Sequence, residues 1–234
     1  TYLNTNGILI ATNGQSILEE LMSQGIEQIV ITANISPSHD ALGLMSKSTV
    51  QKAFSEIDKY RSEDGRRKLQ SVATVIITSE NAANISSLCE HVANVYKAGA
   101  VKFISYIPIN GKLSELSPTL DQLEEIAIQI AKMRDVYDKS KLYVERGGSI
   151  GSSGLSDDKK NSFCPSGDRL FTVMNLKESS AVTPCIYLPE VQIGSIVDGE
   201  IEVDAQMYES FLRRKKEAIQ GGYCPALGIQ LNKY

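Results

Sequence analysis

Hydrophobic positions along the chain follow two alternating patterns. Short, nearly continuous apolar runs at residues 28–35, 72–78 and 100–109 predict buried strands. Each run is followed by a segment in which apolar residues recur at helical spacing. An opening strand at residues 2–7 is broken by Asn6-Gly7. Residues 16–22 predict a first helix, ended by Gly25. Residues 49–61 put Val50, Phe54, Ile57 and Tyr60 on one stripe, as on a helix lying against a sheet. Residues 84–98 and 120–137 predict two more helices, and residues 141–145 a last short strand. Strand and helix thus alternate with short links, which predicts an α/β fold with a parallel sheet, either barrel-like or doubly wound. Continuous apolar strands further predict that both faces of the sheet are covered. Function is then expected in the loops after the strand C-termini, at residues 4–7, 34–40, 78–81 and 108–112.

Beyond residue 146 the pattern changes. Small and polar residues fill the stretch 147–161, so a first domain is expected over residues 1–146 and a second over 147–234. In the second, residues 170–174 and 181–188 predict strands, and Asp198-Gly199 predicts a tight turn. Asp204 can cap a helix running to about Gln220. Such a small β-hairpin-plus-helix cysteine module has little core of its own. Within its helix, the basic run Arg213-Arg214-Lys215-Lys216 reads as a solvated face.

Composition narrows the function classes. The chain has 234 residues, 42% hydrophobic and 22% charged, ordinary for a globular protein with a substantial core. A net charge of −4 argues against a general nucleic-acid surface. No apolar run is long enough to span a bilayer, so no membrane role is expected. Four separated cysteines do not form a secreted disulfide framework, which points to a reducing cytoplasm. The chain starts without Met in the middle of an apolar segment and reads as a piece of a longer one. Neither a Gly-rich dinucleotide turn nor a P-loop is present. No Ser–His–Asp or paired-carboxylate arrangement stands out either.

Candidate chemistry gathers in the last third. Cys164 in Phe-Cys-Pro-Ser-Gly-Asp, Cys185 in Thr-Pro-Cys and Cys224 in Gly-Tyr-Cys-Pro each stand beside turn residues. Turns can aim separated thiolates at one point, and soft thiolates suit an iron–sulfur cluster or zinc. With 20 and 38 residues between them, the three are equally consistent with buried structural cysteines. Cys89 reads as a core residue of an amphipathic helix. His39 stands beside Asp40 after a strand, and His91 is expected on the exposed side of a helix.

Several of these fragments share an order with a known family. Thr5-Asn6-Gly7 after a strand, Ile31-Thr32-Ala33-Asn34 followed by His39-Asp40, and Val75-Ile76-Ile77-Thr78 with Asn81 resemble the middle of a radical S-adenosylmethionine (SAM) enzyme. Cys164 with Gly167, then Thr183-Pro184-Cys185 and the stretch 192–199, resemble the start of a SPASM or twitch extension. Asn34 stands where the family has an Asp. The family's C-x3-C-x2-C loop and GGEP-like motif are absent, and would precede residue 1 in a longer chain.

The resemblance implies a partial (β/α) barrel with Thr32, Asn34, Thr78 and Asn81 on SAM, and with Tyr106, Ile107 and Pro108 as an apolar wall. It implies one auxiliary 4Fe–4S cluster held by Cys164, Cys185 and Cys224, with Asp168 among the candidates for a fourth ligand. An intact protein would add SAM and a second 4Fe–4S cluster and act as an oxidoreductase or maturase through a 5′-deoxyadenosyl radical; the stretch in hand would be inactive alone. A peptide or protein substrate and an electron donor such as flavodoxin or ferredoxin are the implied partners. The alternative is a non-catalytic peptide-binding or scaffold module of the same fold.

Overall fold

A strand inside a sheet satisfies its backbone N–H and C=O groups only through its neighbours, so strand order determines what the rest of the chain can do. The computed structural model describes residues 1–33, 35, 42–60, 68–108, 113–137, 141–147, 171–175, 180–185, 187–220, 224 and 226. They fall into two units: Thr1–Tyr106 with Pro118–Gly147, and Ile107–Ser117 with Gly148–Tyr234.

The first unit runs β1 (Tyr2–Thr5), α1 (Ile8–Ser23), β2 (Gln28–Ala33), α2 (Lys47–Lys59), β3 (Gln70–Ile77), α3 (Ile85–His91), β4 (Ala100–Ser105), α4 (Leu120–Val136) and β5 (Tyr143–Arg146). The five strands are parallel and lie in chain order. When sheet order follows chain order, right-handed crossovers all return on one side. The sheet is therefore barrel-like rather than doubly wound.

One face of the sheet carries the core. Ile29, Ile31 and Ala33 of β2 are buried, whereas Gln28, Val30 and Thr32 between them are only half-buried. Cover on both faces, expected from the apolar runs, holds for the central β3 alone. Its neighbours alternate, because their second face borders an open concavity. Phe54 of α2 stacks on Tyr96 with centroids 5.1 Å apart, over a core that includes Ile31, Ile57, Val75, Phe103 and Ile126. Each such side chain contributes roughly 1.5–3 kcal/mol of burial.

Two helices depart from expectation. α1 starts at Ile8, not near residue 16, because Asn6 Oδ1 accepts the Ile8 N–H at 3.1 Å and Thr5 Oγ1 accepts the Gly7 N–H at 3.1 Å. Gly14 makes a bend within that helix. After α3 the chain makes one wider π turn, Val92–Tyr96, and leaves it through Lys97 at φ 51°.

The second unit contains a four-stranded antiparallel meander: β6 (Thr172–Asn175), β7 (Ser180–Thr183), β8 (Gly194–Val197) and β9 (Glu200–Val203), followed by α5 (Ala205–Gln220). The expected Asp198-Gly199 turn is present, with φ 52° and 85° as a type I′ hairpin requires. Asp204 Oδ1 accepts the Met207 N–H at 3.0 Å and caps α5. A small core joins Ile107, Val182, Leu188, Ile193, Phe211 and Ala226. The basic run is only partly a solvated face. Lys215 is buried, because it falls four residues after Phe211 on the same stripe. No helix of the described residues is long and apolar enough to cross a membrane.

Gly7, between β1 and α1, is a tight point. It sits at φ 80°, and a Cβ there would come 3.0 Å from Ala53 Cβ and 3.4 Å from Ile31 Cγ2. Gly25 has a similar φ of 77° and open space around it. Gly25→Ala is expected to cost about 1 kcal/mol through backbone strain, and Gly7→Ala clearly more because overpacking adds about 1–3 kcal/mol. Urea unfolding of the two variants checks this; equal costs would show that the contacts at Gly7 relax freely.

Candidate functional site

The strand face turned away from the helices lines a cavity of about 780 Å³. Register puts a polar row across it: Thr32 lies opposite Thr74, Thr74 opposite Lys102, and Lys102 opposite Glu145. Lys102 Nζ and Glu145 Oε1 are 3.2 Å apart, both half-exposed, so the pair itself stabilises by at most about 1 kcal/mol. Val30, Val72 and Ile104 give the same cavity apolar walls, and Asn4 and Asn6 add amides at one side. Such a surface suits a ligand with both polar and flat apolar parts.

Of the predicted SAM contacts Thr32 lies on this surface, and so do Asn4, Thr5 and Asn6 of the first expected loop. Thr74, Lys102 and Glu145 were missed. Thr74 and Lys102 interrupt apolar runs, and that interruption at period two was the available signal.

Thr78 and Asn81 form the turn that follows β3. The Thr78 N–H donates to Asn81 Oδ1 at 2.8 Å, and Asn81 Nδ2 donates to the Ile76 carbonyl at 3.0 Å. The turn is pinned from α4. There Thr119 and Gln122 form a capping box, and Gln122 Nε2 donates to the Ser79 carbonyl at 3.2 Å. Asn81 is thus engaged with backbone, which is the loop-closing role open to any Asn in such a turn. Thr78 differs: it is fully buried, and its Oγ1 finds no hydrogen-bond partner among the described residues. Asn34, His39 and Asp40 lie outside the described residues.

In the second unit, Cys185 and Cys224 are both half-buried and pack against the small core, beside Tyr187. The Tyr187 phenol is held above its usual pKa range, first by burial and then by the proximity of the Cys185 and Cys224 thiols. Residues 39 positions apart thus border the same small core. Cys164 and Asp168 lie outside the described residues, and among the described residues no three His, Cys, Asp or Glu side chains form a metal-binding group.

Cys89 is fully buried in the first unit, and burial pushes its thiol up to about 12. His91 is not on an exposed side. It packs edge-on against Tyr96 at 4.9 Å, and burial, then the Lys47 charge, lower its pKa. The wider turn after α3 brings Tyr96 under it. Ile107, expected beside a cofactor, belongs to the core of the second unit.

No protein-family model matches the chain, and no curated protein matches it by sequence. The fold does match solved structures. Streptococcus suis SuiB bound to S-adenosylmethionine superposes with a TM-score of 0.62 at 14% identity, covering 98% of this chain and 54% of SuiB. A second Streptococcus suis SuiB structure gives 0.51 at 13% identity, covering 100% and 51%. The chain thus shares the fold of about half of SuiB.

Two measurements test the site as described. Thr78→Val replaces the partnerless hydroxyl by a methyl of the same shape, and is expected to raise stability by about 1 kcal/mol in urea unfolding. A loss of stability would show that the hydroxyl is bonded. At pH 8 the Cys89 thiol is expected to stay protonated and shielded while Cys185 and Cys224 alkylate. Mass spectrometry after brief iodoacetamide treatment of the native protein reads the order; modification of Cys89 first would overturn it.

Proposed function

We propose that the chain is part of a radical SAM oxidoreductase or maturase that carries an auxiliary 4Fe–4S cluster in its second unit. The observation that carries this reading is the singly wound parallel sheet with one polar concave face, together with its likeness to a SAM-bound protein over 98% of the chain. The ordered short motifs from Thr5 to Cys224 support it independently of the fold.

The chain's own residues fit the groups this function needs. Of the four proposed contacts to SAM, Thr32 lines the cavity, Asn34 lies outside the described residues, and Asn81, whose amide is bonded to backbone, would act by shaping the turn that carries Thr78. In this reading the buried Thr78 hydroxyl, which finds no partner among the described residues, would gain one from the bound ligand. The Thr74–Lys102–Glu145 row would orient polar groups of SAM or substrate, and Val30, Val72 and Ile104 would keep water from the apolar parts. Cys185 and Cys224, both on the margin of the same small core, would supply two thiolates of the proposed set, with Cys164 as the third and Asp168 a candidate for the fourth ligand. Thiolate is the donor that such clusters take. Chemistry supplied by the bound cofactors would be reductive cleavage of SAM and hydrogen abstraction from the substrate. A peptide or protein substrate, a flavodoxin- or ferredoxin-type electron donor and a cytoplasmic location complete the proposal.

The cluster is testable on the chain as given. Anaerobic reconstitution is expected to yield a brown protein with about four irons per chain. Cys164→Ala, Cys185→Ala and Cys224→Ala should each lower the iron content, and Cys89→Ala should not. Full iron in the three tail variants, or uptake of zinc without iron, would sink the assignment.

A further inference from the structure

β9 closes one edge of the four-stranded sheet, and all four of its residues are exposed. In a two-residue hairpin the pair flanking the turn exchanges both of its hydrogen bonds, and hydrogen-bonded pairs then recur at every second residue. Here that pair is Val197 with Glu200, and Ser195 with Glu202 follows. The Asp204 N–H, which donates to the Ile193 carbonyl at 2.8 Å, continues the same parity. Glu200, Glu202 and Asp204 therefore direct their backbone groups at β8. Ile201 and Val203 direct theirs away from the sheet, towards solvent.

An edge of this kind is a template for another strand. Sheets blunt such edges with bulges, prolines, shortness or charged side chains. β9 has no bulge, proline or lysine and pairs with β8 in unbroken register; its four residues carry charge of one sign alone, Glu200 and Glu202, so the edge repels like charge and leaves a cationic strand free to add.

The side chains select the partner. Glu200 and Glu202 share one face of the strand, flanked by Asp198 and Asp204, and residues 198–204 include no Lys or Arg. Among the described residues neither Glu200 nor Glu202 holds an ion pair. On the other face Ile201 and Val203 are 52% and 49% exposed. A cavity of about 480 Å³ adjoins the strand, lined by Glu202, Val203 and Asp204 together with Gln192, Gly194 and Ser195. A second copy of this chain is disfavoured as the occupant, because antiparallel pairing of two β9 strands would set the acidic row against itself.

We propose that the β9 edge takes up an extended cationic segment of a partner polypeptide as a fifth strand. The segment's main chain would bond to the outward N–H and C=O groups of Ile201 and Val203. Its Lys or Arg side chains would lie beside Glu200 and Glu202, and its alternate apolar side chains would cover Ile201 and Val203. The proposal stands apart from the cofactor reading of the cysteines.

Fluorescence anisotropy with a labelled peptide of alternating Lys and Val tests it on the full chain. Binding is expected, weakening as salt rises. A Glu200→Gln/Glu202→Gln variant should bind about tenfold more weakly, since it keeps the strand and removes the charge. A Glu-Val peptide should not bind, and neither should the Lys-Val peptide with alternate amides N-methylated, which cannot add as a strand. The peptide comparisons need only the wild-type protein, so they decide even if the variant fails to fold. No binding of the Lys-Val peptide would overturn the proposal. So would undiminished binding of its N-methylated form, or of the folded glutamine variant. A dimer in sedimentation velocity that Ile201→Pro abolishes would assign the edge to a second copy instead.

Discussion

Everything in the first unit depends on one constraint: five parallel strands that lie side by side in the order in which they are made. A parallel pair cannot be joined by a tight turn, so each link must cross over and return. With a constant hand, all of the returns stack on one side. That side becomes the packed core, with Phe54 stacked on Tyr96 and the odd-numbered side chains of β2 buried. The opposite side keeps a row of Thr, Lys and Glu that no core would accept unpaired. The concave polar surface follows directly from the order of the strands.

The second unit solves a different problem, that of holding shape with few apolar residues. Its core is a handful of side chains around Val182, Ile193 and Phe211, and the half-buried thiols and Tyr187 lie on its margin. A margin of this kind is dry enough to perturb a phenol and open enough to admit a ligand. The same unit leaves a full strand uncovered, so its surface is more informative than its interior.

Much of this was legible in the chain, for identifiable reasons. β3 was readable because residues 72–77 form a nearly continuous apolar run, and α2 because Val50, Phe54 and Ile57 repeat at helical spacing. The Asp198-Gly199 turn was readable because few residues tolerate two successive positive φ values. What escaped depended on residues acting at a distance. The start of α1 is set by Asn6 and Thr5 side chains bonding forward, a local competition that periodicity does not register. Lys215 looked like one more solvated charge until the stripe from Phe211 placed it inside. Thr74, Lys102 and Glu145 become one row only when register is known, since they stand on three different strands. That Cys185 and Cys224 border one core is likewise a product of folding, not of spacing.

Ile107 carries a consequence for how the molecule can be taken apart. The chain leaves the first unit after Tyr106, lends Ile107–Ser117 to the second, returns at Pro118 and departs again after Gly147. The two units are thus interleaved in sequence, and no single peptide bond separates them. Cutting after Gly147 would yield a tail whose core lacks Ile107, leaving Val182, Leu188 and Phe211 short of a packing partner. It would also leave the first piece with a stretch between β4 and α4 evicted from its own surroundings. Heredity of these parts as independent modules is therefore constrained: whatever exchanges the tail must also exchange the loop that follows β4.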